Sequence, residues 1–381
     1  MVEDKPARAR LLTHLRRLRR AMLVVVGALI VGATVFIVSG VYNVAARSEH
    51  WGITNWLLTV VRDRSIAMAA YGISVPDLID DNLADLGAEH YRGACATCHG
   101  LPGRGPGPVN QNMLPFPPDL AYAYEDYNSK ELFWIIYNGL KFTGMPAWPG
   151  NGRRDEVWSL VAFLDRLRRE GADSYTDGEP SEFLPLELEA AGVGIQALEN
   201  CVRCHGDAQS PPVSDLVPRL GGQSEGYLIR AIENYWDGTR QSGIMEPIAY
   251  RMSAEETVAL ARYYASLSPV RAEASQDPAA VARGRQIATE GLPKAGIPAC
   301  SSCHKGDMGG NPQFPELSGQ SAAYLRGQLA LWQKGLRDQS AYGAIMAVIA
   351  NRLNNAQIRD VTAYYASQPP RLHPESEVPV P

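Results

Sequence analysis

The sequence predicts an all-α protein in which one N-terminal transmembrane helix is followed by three small helical domains. Residues 21–41 form one uncharged apolar run, and a Cys-x-x-Cys-His motif occurs three times later in the 381-residue chain. The Val- and Ile-rich stretches follow a helical period, and strand signals are weak throughout. A chain of this length is long enough for two or three domains of ordinary size.

The apolar run AMLVVVGALIVGATVFIVSGV is long enough to cross a membrane as a helix, which takes about 20 residues. The apolar core of a cleaved signal peptide is shorter, about 7–15 residues. Arginines before the run predict a cytoplasmic N-terminus: Arg8, Arg10, Arg16, Arg17, Arg19 and Arg20. We expect residues 1–46 to be a basic N-terminus and an anchor in the bacterial inner membrane, with the rest periplasmic. A signal peptide cleaved after Val-Ala-Ala at 44–46 is the alternative.

Residues 47–83 are predicted to be an amphipathic connecting segment. Between residues 51 and 73 the apolar side chains follow a roughly helical period, and one face carries Ile53, Trp56, Leu57, Val60 and Val61. This helix either lies at the membrane surface, with tryptophans at headgroup level, or packs on the first domain. The sequence leaves both arrangements open.

Charge is distributed unevenly along the chain. Residues 1–20 carry seven Lys/Arg and two acidic residues, a balance of +5, so the remainder sums to −10 within the total of −5. Because the basic cluster is confined to the N-terminus and adjoins an apolar run, it indicates a membrane-flanking segment. No nucleic-acid partner is expected.

An internal repeat organises the remainder of the chain. The stretch PRLGGQSEGYL (218–228) aligns with PELSGQSAAYL (315–325) at an offset of 97. Downstream the offset grows to 101, where ARYYAS (261–266) matches TAYYAS (362–367). Residues 84–170 follow the same plan more loosely, so three copies of one small domain are predicted.

We call the three copies repeat 1 (84–170), repeat 2 (190–268) and repeat 3 (281–368). Linkers are predicted at 171–189 and 269–280 because both stretches are polar and contain prolines. Residues 369–381 are predicted to be a proline-rich tail. Each repeat is predicted to contain a short helix, the cysteine motif, a loop with Pro-x-Leu, a helix closed by glycine, a methionine-containing loop and a last helix. The closing glycines suit a left-handed helix stop: Gly139, Gly238 and Gly335.

The Cys-x-x-Cys-His motif is the attachment signature of c-type haem. Two thiols one helical turn apart form thioether links to the porphyrin, and the adjacent histidine supplies the proximal ligand of the iron. Three motifs use all six cysteines, so three covalent haems are predicted. The motif residues are Cys95, Cys98 and His99, then Cys201, Cys204 and His205, then Cys300, Cys303 and His304.

Zinc binding and thiol redox chemistry explain the motifs less well. A structural zinc ion takes four protein ligands, so each motif would need a second Cys or His pair nearby. No cysteine is spare, and the spare histidines are scattered at His14, His50, His90 and His373. A thioredoxin-like motif would need a βαβ context, which a helical chain lacks.

A methionine is the expected sixth ligand of each iron, as in small electron-transfer cytochromes. The repeat plan offers Met145, Met245 and Met346, which follow their motif histidines by 46, 40 and 42 residues. Rival methionines fit less well. Met252 aligns with Leu353 and is expected in the core, Met308 is only four residues from His304, and Met113 precedes the helix that should form the distal wall.

Proline carbonyls are predicted to orient the histidines. A ligating histidine usually donates its second ring N–H to a carbonyl, which fixes the orientation of the ring. The Pro-x-Leu elements place Pro118, Pro218 and Pro315 at equivalent points after the motifs. A plain turn-forming role for these prolines is the alternative.

These features resemble class I cytochromes c. Residues 190–368, with PRLGGQSEGYL, GIPACSSCH, PELSGQSAAYL and a YYAS ending in each repeat, are similar to the tandem dihaem cytochrome c-four family. That resemblance implies two haem domains packed as a pair. Residues 84–170, with GAEHYRGACATCHG and TGMPAW, resemble a further class I domain of membrane-bound dehydrogenase cytochrome subunits.

The sequence therefore predicts a membrane-anchored trihaem c-type cytochrome that transfers single electrons on the periplasmic side and is not itself an enzyme. His/Met ligation leaves no open position on the iron for a substrate. The expected donors are a quinol-oxidising complex or a periplasmic dehydrogenase, and the expected acceptor is a terminal oxidase. The alternatives are a cytochrome subunit of a membrane-bound alcohol- or gluconate-type dehydrogenase, and a haem enzyme with one open iron.

Overall fold

The structure is a computed structural model that describes residues 5–176, 184–270, 272, 275–304 and 311–371. The described residues are helical, and their only extended pairing is an isolated antiparallel bridge between Leu292 and Ile297. The all-α prediction is therefore confirmed. Met308, His373 and most of the predicted tail lie outside the described residues.

The α-helices follow one another with short connections. Their bounds are α1 Lys5–Ser39, α2 Gly52–Ala70, α3 Asp81–His90, α4 Ala96–His99, α5 Ala123–Asp126, α6 Ser129–Asn138, α7 Arg154–Glu170, α8 Leu186–Ala190, α9 Ile195–His205, α10 Glu225–Trp236, α11 Met245–Arg251, α12 Ala254–Ser266, α13 Pro278–Glu290, α14 Ala322–Gln333, α15 Ala341–Ala350 and α16 Asn355–Ser367. A single π-helical turn, Tyr91–Cys95, joins α3 to α4.

Residues up to Arg62, with 112–114, form the first of two compact units. Within it, Arg10–Ser39 of α1 is long and apolar enough to cross a membrane, and none of it is buried in protein. The helix ends at Ser39, before the end of the predicted run, because Gly40 adopts a left-handed φ of 62°.

Aromatic side chains cluster where α1 ends. The Tyr42 hydroxyl lies 2.6 Å from Nδ1 of His50, and the ring of Trp51 packs edge-on against both Phe36 and Tyr42. Tryptophan and tyrosine rings favour the boundary between lipid tails and water. The cluster is therefore suited to the end of a membrane-spanning helix.

Helix α2 has two different halves. Its N-terminal half exposes Trp56 and Leu57, as a helix at a membrane surface would. Its C-terminal half buries Ile66 and Ala70, and Asp63 accepts a hydrogen bond from the Tyr127 hydroxyl at 3.2 Å. Of the two arrangements that the sequence left open, packing on repeat 1 holds for this C-terminal half.

The second unit, from Asp63 onward, contains three apolar cores. Each core draws its buried residues almost entirely from one repeat. Representative members are Tyr91, Phe133 and Phe163 in the first core, Leu188, Leu198 and Leu260 in the second, and Ile287, Leu325 and Val361 in the third. The predicted glycine stops are confirmed, since Gly139, Gly238 and Gly335 all have a positive φ.

Two predicted linkers contain helix. Helix α8 lies in the predicted 171–189 linker, and its Leu188 is 1% exposed in the second core. Helix α13 begins at Pro278, within the predicted 269–280 linker, because the Asp277 side chain caps its first amides. A buried leucine and an aspartate cap thus extend repeats 2 and 3 toward the N-terminus.

The prediction that Met245 and Met346 lie in loops was wrong. Met245 is the first residue of α11, and Met346 lies inside α15. A serine side chain accepts amide hydrogen bonds at the start of each helix: Ser242 from the Met245 N–H and Ser340 from the Gly343 N–H. These short helices have no clear polar face, so periodicity did not reveal them.

Glycines allow the first and last helices of two repeats to touch. A Cβ at Gly87 of α3 would lie 2.0 Å from the carbonyl oxygen of Ser159 in α7. A Cβ at Gly284 of α13 would lie 1.9 Å from the carbonyl oxygen of Asp360 in α16. Real Cβ atoms cannot approach that closely, so any larger residue must push the helices apart.

We expect Gly87→Ala and Gly284→Ala each to destabilise the protein by about 1–3 kcal/mol, because the added methyl group overpacks the helix crossing. Gly327→Ala in α14 is the matched control, since nothing lies within 4 Å of its Cβ position. There alanine should be neutral or stabilising by up to about 1 kcal/mol. Urea unfolding, monitored by circular dichroism, measures the difference. Equal unfolding midpoints for all three variants would contradict close helix packing at Gly87 and Gly284.

Candidate functional site

Each motif histidine hydrogen-bonds to a proline carbonyl. Nδ1 of His99 lies 2.8 Å from the oxygen of Pro118, Nδ1 of His205 lies 3.0 Å from that of Pro218, and Nδ1 of His304 lies 3.0 Å from that of Pro315. The predicted role of the three prolines is confirmed. The same contact recurs in repeats whose intervening loops differ in length.

These hydrogen bonds determine the state of the rings. A carbonyl only accepts, so Nδ1 carries the proton, and Nε2 of a neutral ring keeps its lone pair. Burial lowers the pKa of all three histidines, and the proline carbonyls oppose this shift. Each ring is thus held neutral at physiological pH with Nε2 available to a metal ion.

The cysteines occupy three different local structures. Cys201 and Cys204 lie within α9, while Cys95 ends the π-helical turn and Cys98 lies in α4. In these two repeats the helical spacing predicted from the motif is present. Repeat 3 differs, because Cys300 starts a short 3₁₀ turn and Cys303 follows it as an exposed residue.

A cavity of about 310 Å³ brings together the predicted site residues of repeats 2 and 3. Its wall includes Cys201, His205 and Met245 from repeat 2 and Cys300, Cys303, His304 and Met346 from repeat 3. Cys204 is buried behind this wall, and the predicted site residues of repeat 1 do not line it. The methionines thus share a cavity with the histidines that they were predicted to accompany.

Met145 lies in the loop that joins α6 to α7. Its N–H donates to Oγ1 of Thr143 at 3.0 Å, and its carbonyl accepts from the Leu140 N–H at 3.2 Å. Of the rival methionines, Met252 packs against the second core as predicted, and it also lines the cavity. Met113 lies in the first compact unit.

Two arginines in this cavity were missed by the sequence reasoning: Arg240, which is 7% exposed, and Arg337, which is partly buried. Arg240 donates from Nη2 to the Tyr324 hydroxyl and to Oε1 of Gln328, both at 3.1 Å. Arg337 donates to the same Gln328 oxygen at 2.5 Å and to the Tyr227 hydroxyl at 3.3 Å. Each arginine of one repeat therefore bonds a tyrosine of the other.

The charges of these two arginines are not balanced by carboxylates in the described ranges of the chain. Within the described residues, no carboxylate forms an ion pair with Arg240 or Arg337. Burial and the charge of Arg240 lower the pKa of Arg337. A buried cation and a partly buried one that have no carboxylate partner in the described part of the chain are costly, so the cavity is suited to a group that carries negative charge.

A sequence signal for these arginines existed. At the same offset of 97, YWDGTR (235–240) aligns with WQKGLR (332–337), which pairs the two arginines. Their tyrosine partners, Tyr227 and Tyr324, align in the same way. Reading the repeat for shared charges as well as shared glycines would have identified them.

The repeated Gly-Gln-Ser segments join repeats 2 and 3. The Gln223 side chain donates to the Glu316 carbonyl at 3.1 Å and accepts from the Glu316 N–H at 2.8 Å. Its counterpart Gln320 donates to the Arg219 carbonyl and accepts from the Arg219 N–H, both at 3.0 Å. The exchange is reciprocal, so the two repeats pair about an approximate twofold axis.

Two protein families match separate parts of the chain. The family described as cytochrome c oxidase, cbb3-type, subunit III, matches residues 82–164. The family described as cytochrome c matches residues 281–368. The first range falls largely in repeat 1, and the second coincides with repeat 3.

Several characterised proteins are similar over nearly half of the chain or more. The thiosulfate dehydrogenase electron acceptor of Thiomonas intermedia is 37% identical over 172 residues, which are 45% of this chain and 79% of that protein. That of Stutzerimonas stutzeri is 33% identical over 58% of this chain and 94% of its own length. Cytochrome c4 of Pseudomonas aeruginosa is 32% identical over 46% of this chain and 86% of its length. The chain therefore belongs to the c-type cytochromes, electron-transfer proteins with covalently attached haem.

Proposed function

We propose that this chain is a membrane-anchored trihaem cytochrome that carries single electrons along the periplasmic face of the bacterial inner membrane. The threefold recurrence of a Cys-x-x-Cys-His motif with a histidine–proline carbonyl hydrogen bond is the observation that carries the proposal. Each recurrence supports one haem site. The anchor is α1, whose arginine-rich start supports a cytoplasmic N-terminus.

The proposed attachment residues are the six motif cysteines, and the proposed iron ligands are the motif histidines with Met145, Met245 and Met346. When bound, haem supplies an iron that changes by one electron between ferric and ferrous states. The chain's own residues set its surroundings. The proline carbonyls hold each imidazole in one tautomer, with Nε2 directed away from the hydrogen bond.

The buried charges of the cavity fit this group. Haem carries two propionate carboxylates, and the cations Arg240 and Arg337 line the same cavity as His205 and His304. Propionates would balance the two guanidinium charges, which lack carboxylate partners among the described residues. The residues present therefore fit two haems in repeats 2 and 3.

The similar proteins support particular redox partners. Two of them are named as electron acceptors of thiosulfate dehydrogenase, which supports a periplasmic dehydrogenase as the donor. The match of residues 82–164 to an oxidase subunit family supports a terminal oxidase as the acceptor. A fixed place in a dehydrogenase complex is the alternative, and co-purification after mild detergent extraction distinguishes it from a free relay.

Replacing each proposed methionine ligand in turn tests the haem count and the ligation. We expect Met145→Ala, Met245→Ala and Met346→Ala each to remove about one third of the near-red Met–iron absorption band, because one iron in three loses its thioether ligand. The affected haem should become high-spin and bind carbon monoxide. Met252→Ala is the matched control and should keep the whole band. A full band in any of the three ligand variants would contradict that assignment.

Neutralising a buried arginine tests the fit of the cavity. A nearby positive charge stabilises the reduced haem, so Arg240→Gln should lower one or two midpoint potentials by tens of millivolts. Arg262→Gln is the control, because Arg262 pairs with Glu225 at an exposed site. Spectroelectrochemical titration measures both variants. Unchanged potentials in Arg240→Gln would argue against propionates beside this side chain.

Reconstitution tests the direction of electron flow. With the chain in liposomes, thiosulfate plus thiosulfate dehydrogenase should reduce its haems, and a cbb3-type oxidase with oxygen should reoxidise them. Neither thiosulfate alone nor the dehydrogenase without thiosulfate should cause reduction. If the haems stay oxidised with this donor but are reduced by a quinol-oxidising complex, the dehydrogenase assignment is wrong and the relay role stands.

A further inference from the structure

Glu156 is a buried carboxylate at the contact between repeats 1 and 2. It lies in the first turn of α7 and is 5% exposed. From repeat 2 it accepts hydrogen bonds from the Ser242 hydroxyl at 2.6 Å and from the Gly243 N–H at 2.7 Å. From repeat 1 it accepts one from the Trp148 indole at 3.2 Å.

Arg153 completes the same cluster. Its Nη1 lies 2.8 Å from Oε1 of Glu156 and donates to the Gln241 carbonyl at 2.7 Å. The Asn151 N–H donates to the Gln241 side chain at 3.0 Å. The two chains touch here, because a Cβ at Gly150 would lie 2.3 Å from the Gly243 nitrogen. We call Arg153, Glu156, Ser242 and Gly243 the Glu156 cluster.

Most of the hydrogen-bond donors around Glu156 suit an ionised carboxylate. Burial raises the pKa of Glu156 to about 7, and the Arg153 charge and the donated hydrogen bonds oppose that rise. Arg153, Trp148 and Gly243 offer only N–H donors, which could not accept a hydrogen bond from a protonated Glu156 carboxyl. Removing the charge of Glu156 would weaken the hydrogen bonds that Ser242 and Gly243 of repeat 2 donate to it, while Arg153 would keep Asp155 as an ion-pair partner at 2.8 Å.

The cluster is placed between the methionine segments of the two repeats. Trp148 follows Met145 by three residues, and Ser242 precedes Met245 by three residues. The Ser242 hydroxyl that donates to Glu156 also accepts from the Met245 N–H at 3.0 Å. One carboxylate therefore bonds both segments that carry the proposed ligands.

A second contact lies near the motifs of the two repeats, where Asn82, in α3 just before repeat 1, meets repeat 2. The Ser214 hydroxyl donates to the Asn82 carbonyl at 2.7 Å, and the Asp215 N–H donates to the Asn82 side chain at 2.9 Å. The Arg203 guanidinium, inside the second motif, fills the space beside Gly93, two residues before the first motif. The repeats thus meet at two places, near the motifs and near the methionines.

We propose that Glu156 is a positioning residue that docks repeat 1 on repeat 2, so that single electrons pass directly between these two repeats. In each transfer one electron leaves one repeat, which is oxidised, and reduces the other, with no bond or proton transferred. The electron-transfer part rests on the proposed function, whereas the docking part does not.

The test uses Glu156→Gln in the full-length, detergent-solubilised protein. Hydrogen exchange of the peptide containing Gly243 should accelerate by at least about tenfold, because its amide loses a buried ionised acceptor. Electron redistribution after pulse radiolysis should slow by a similar factor, while the haem count and the near-red band stay unchanged. A merely structural defect would alter the band as well.

Asp360→Asn is the matched control. Asp360 is 8% exposed and pairs with Arg283 at 2.8 Å within repeat 3. This variant should accelerate exchange in repeat 3 and leave both the Gly243 peptide and the electron redistribution as in the unaltered protein.

If Glu156→Gln does not fold, Ser214→Ala at the second contact replaces it as the test variant. It should accelerate hydrogen exchange of the Gly243 peptide and slow electron redistribution, both by a smaller factor than expected for Glu156→Gln. Unchanged exchange at Gly243 in Glu156→Gln overturns the docking role. Faster exchange with unchanged redistribution overturns the positioning role. A chain with haem in only two repeats would instead refute the proposed function, and the exchange measurement would still decide the docking.

Discussion

The hydrogen bond from each motif histidine to a proline carbonyl is the interaction on which the three sites depend. It joins residues 19, 13 and 11 positions apart, so loops of different length converge on one geometry. A buried imidazole needs an acceptor for its N–H, and a proline carbonyl in a rigid turn supplies it without adding a donor of its own. The consequence is a neutral ring with one defined free nitrogen. A haem site can then be assembled from any motif helix and any methionine segment that the rest of the repeat brings alongside.

Repeats 2 and 3 pair through reciprocal contacts that a duplicated sequence supplies readily. Gln223 and Gln320 each bond the backbone of the opposite repeat through both ends of the amide, and Arg240 and Arg337 each bond a tyrosine across the interface. Because the same residues occur in both repeats, each repeat supplies the hydrogen-bond partners that the other needs at the interface. Placing both arginines at this interface concentrates positive charge where two haems would share one cavity, which favours the reduced state of both.

Much of the fold was accessible from the sequence, because its signals are local. The apolar run, the motif spacing, the helix-closing glycines and the proline carbonyls are each read within a few residues. Helices α11 and α15 were missed since they are short and lack a polar face. Arg240 and Glu156 were missed for a different reason. Charged residues normally lie at the surface, and distant partners help to make the burial of these two tolerable: Tyr324 for Arg240 and Ser242 for Glu156, 84 and 86 positions away. A single sequence does not reveal such pairs unless a repeat duplicates them, as it does for Arg240 and not for Glu156.

Repeat 1 is held by chemistry unlike that of the pair, and the difference has a physical consequence. The glutamine and tyrosine contacts between repeats 2 and 3 are mostly neutral hydrogen bonds, which tolerate small shifts at modest cost. The contact with repeat 1 uses a charged acceptor instead: Glu156, which is paired with Arg153 inside repeat 1, accepts hydrogen bonds from the Ser242 hydroxyl and the Gly243 N–H of repeat 2. Separating the repeats would remove both donors from that carboxylate. Hydrogen bonds to a charged acceptor are stronger than neutral ones and are directional, so they disfavour other orientations of repeat 1 on repeat 2. Repeat 1 is therefore held in a defined orientation on repeat 2, as the proposed electron path between them requires.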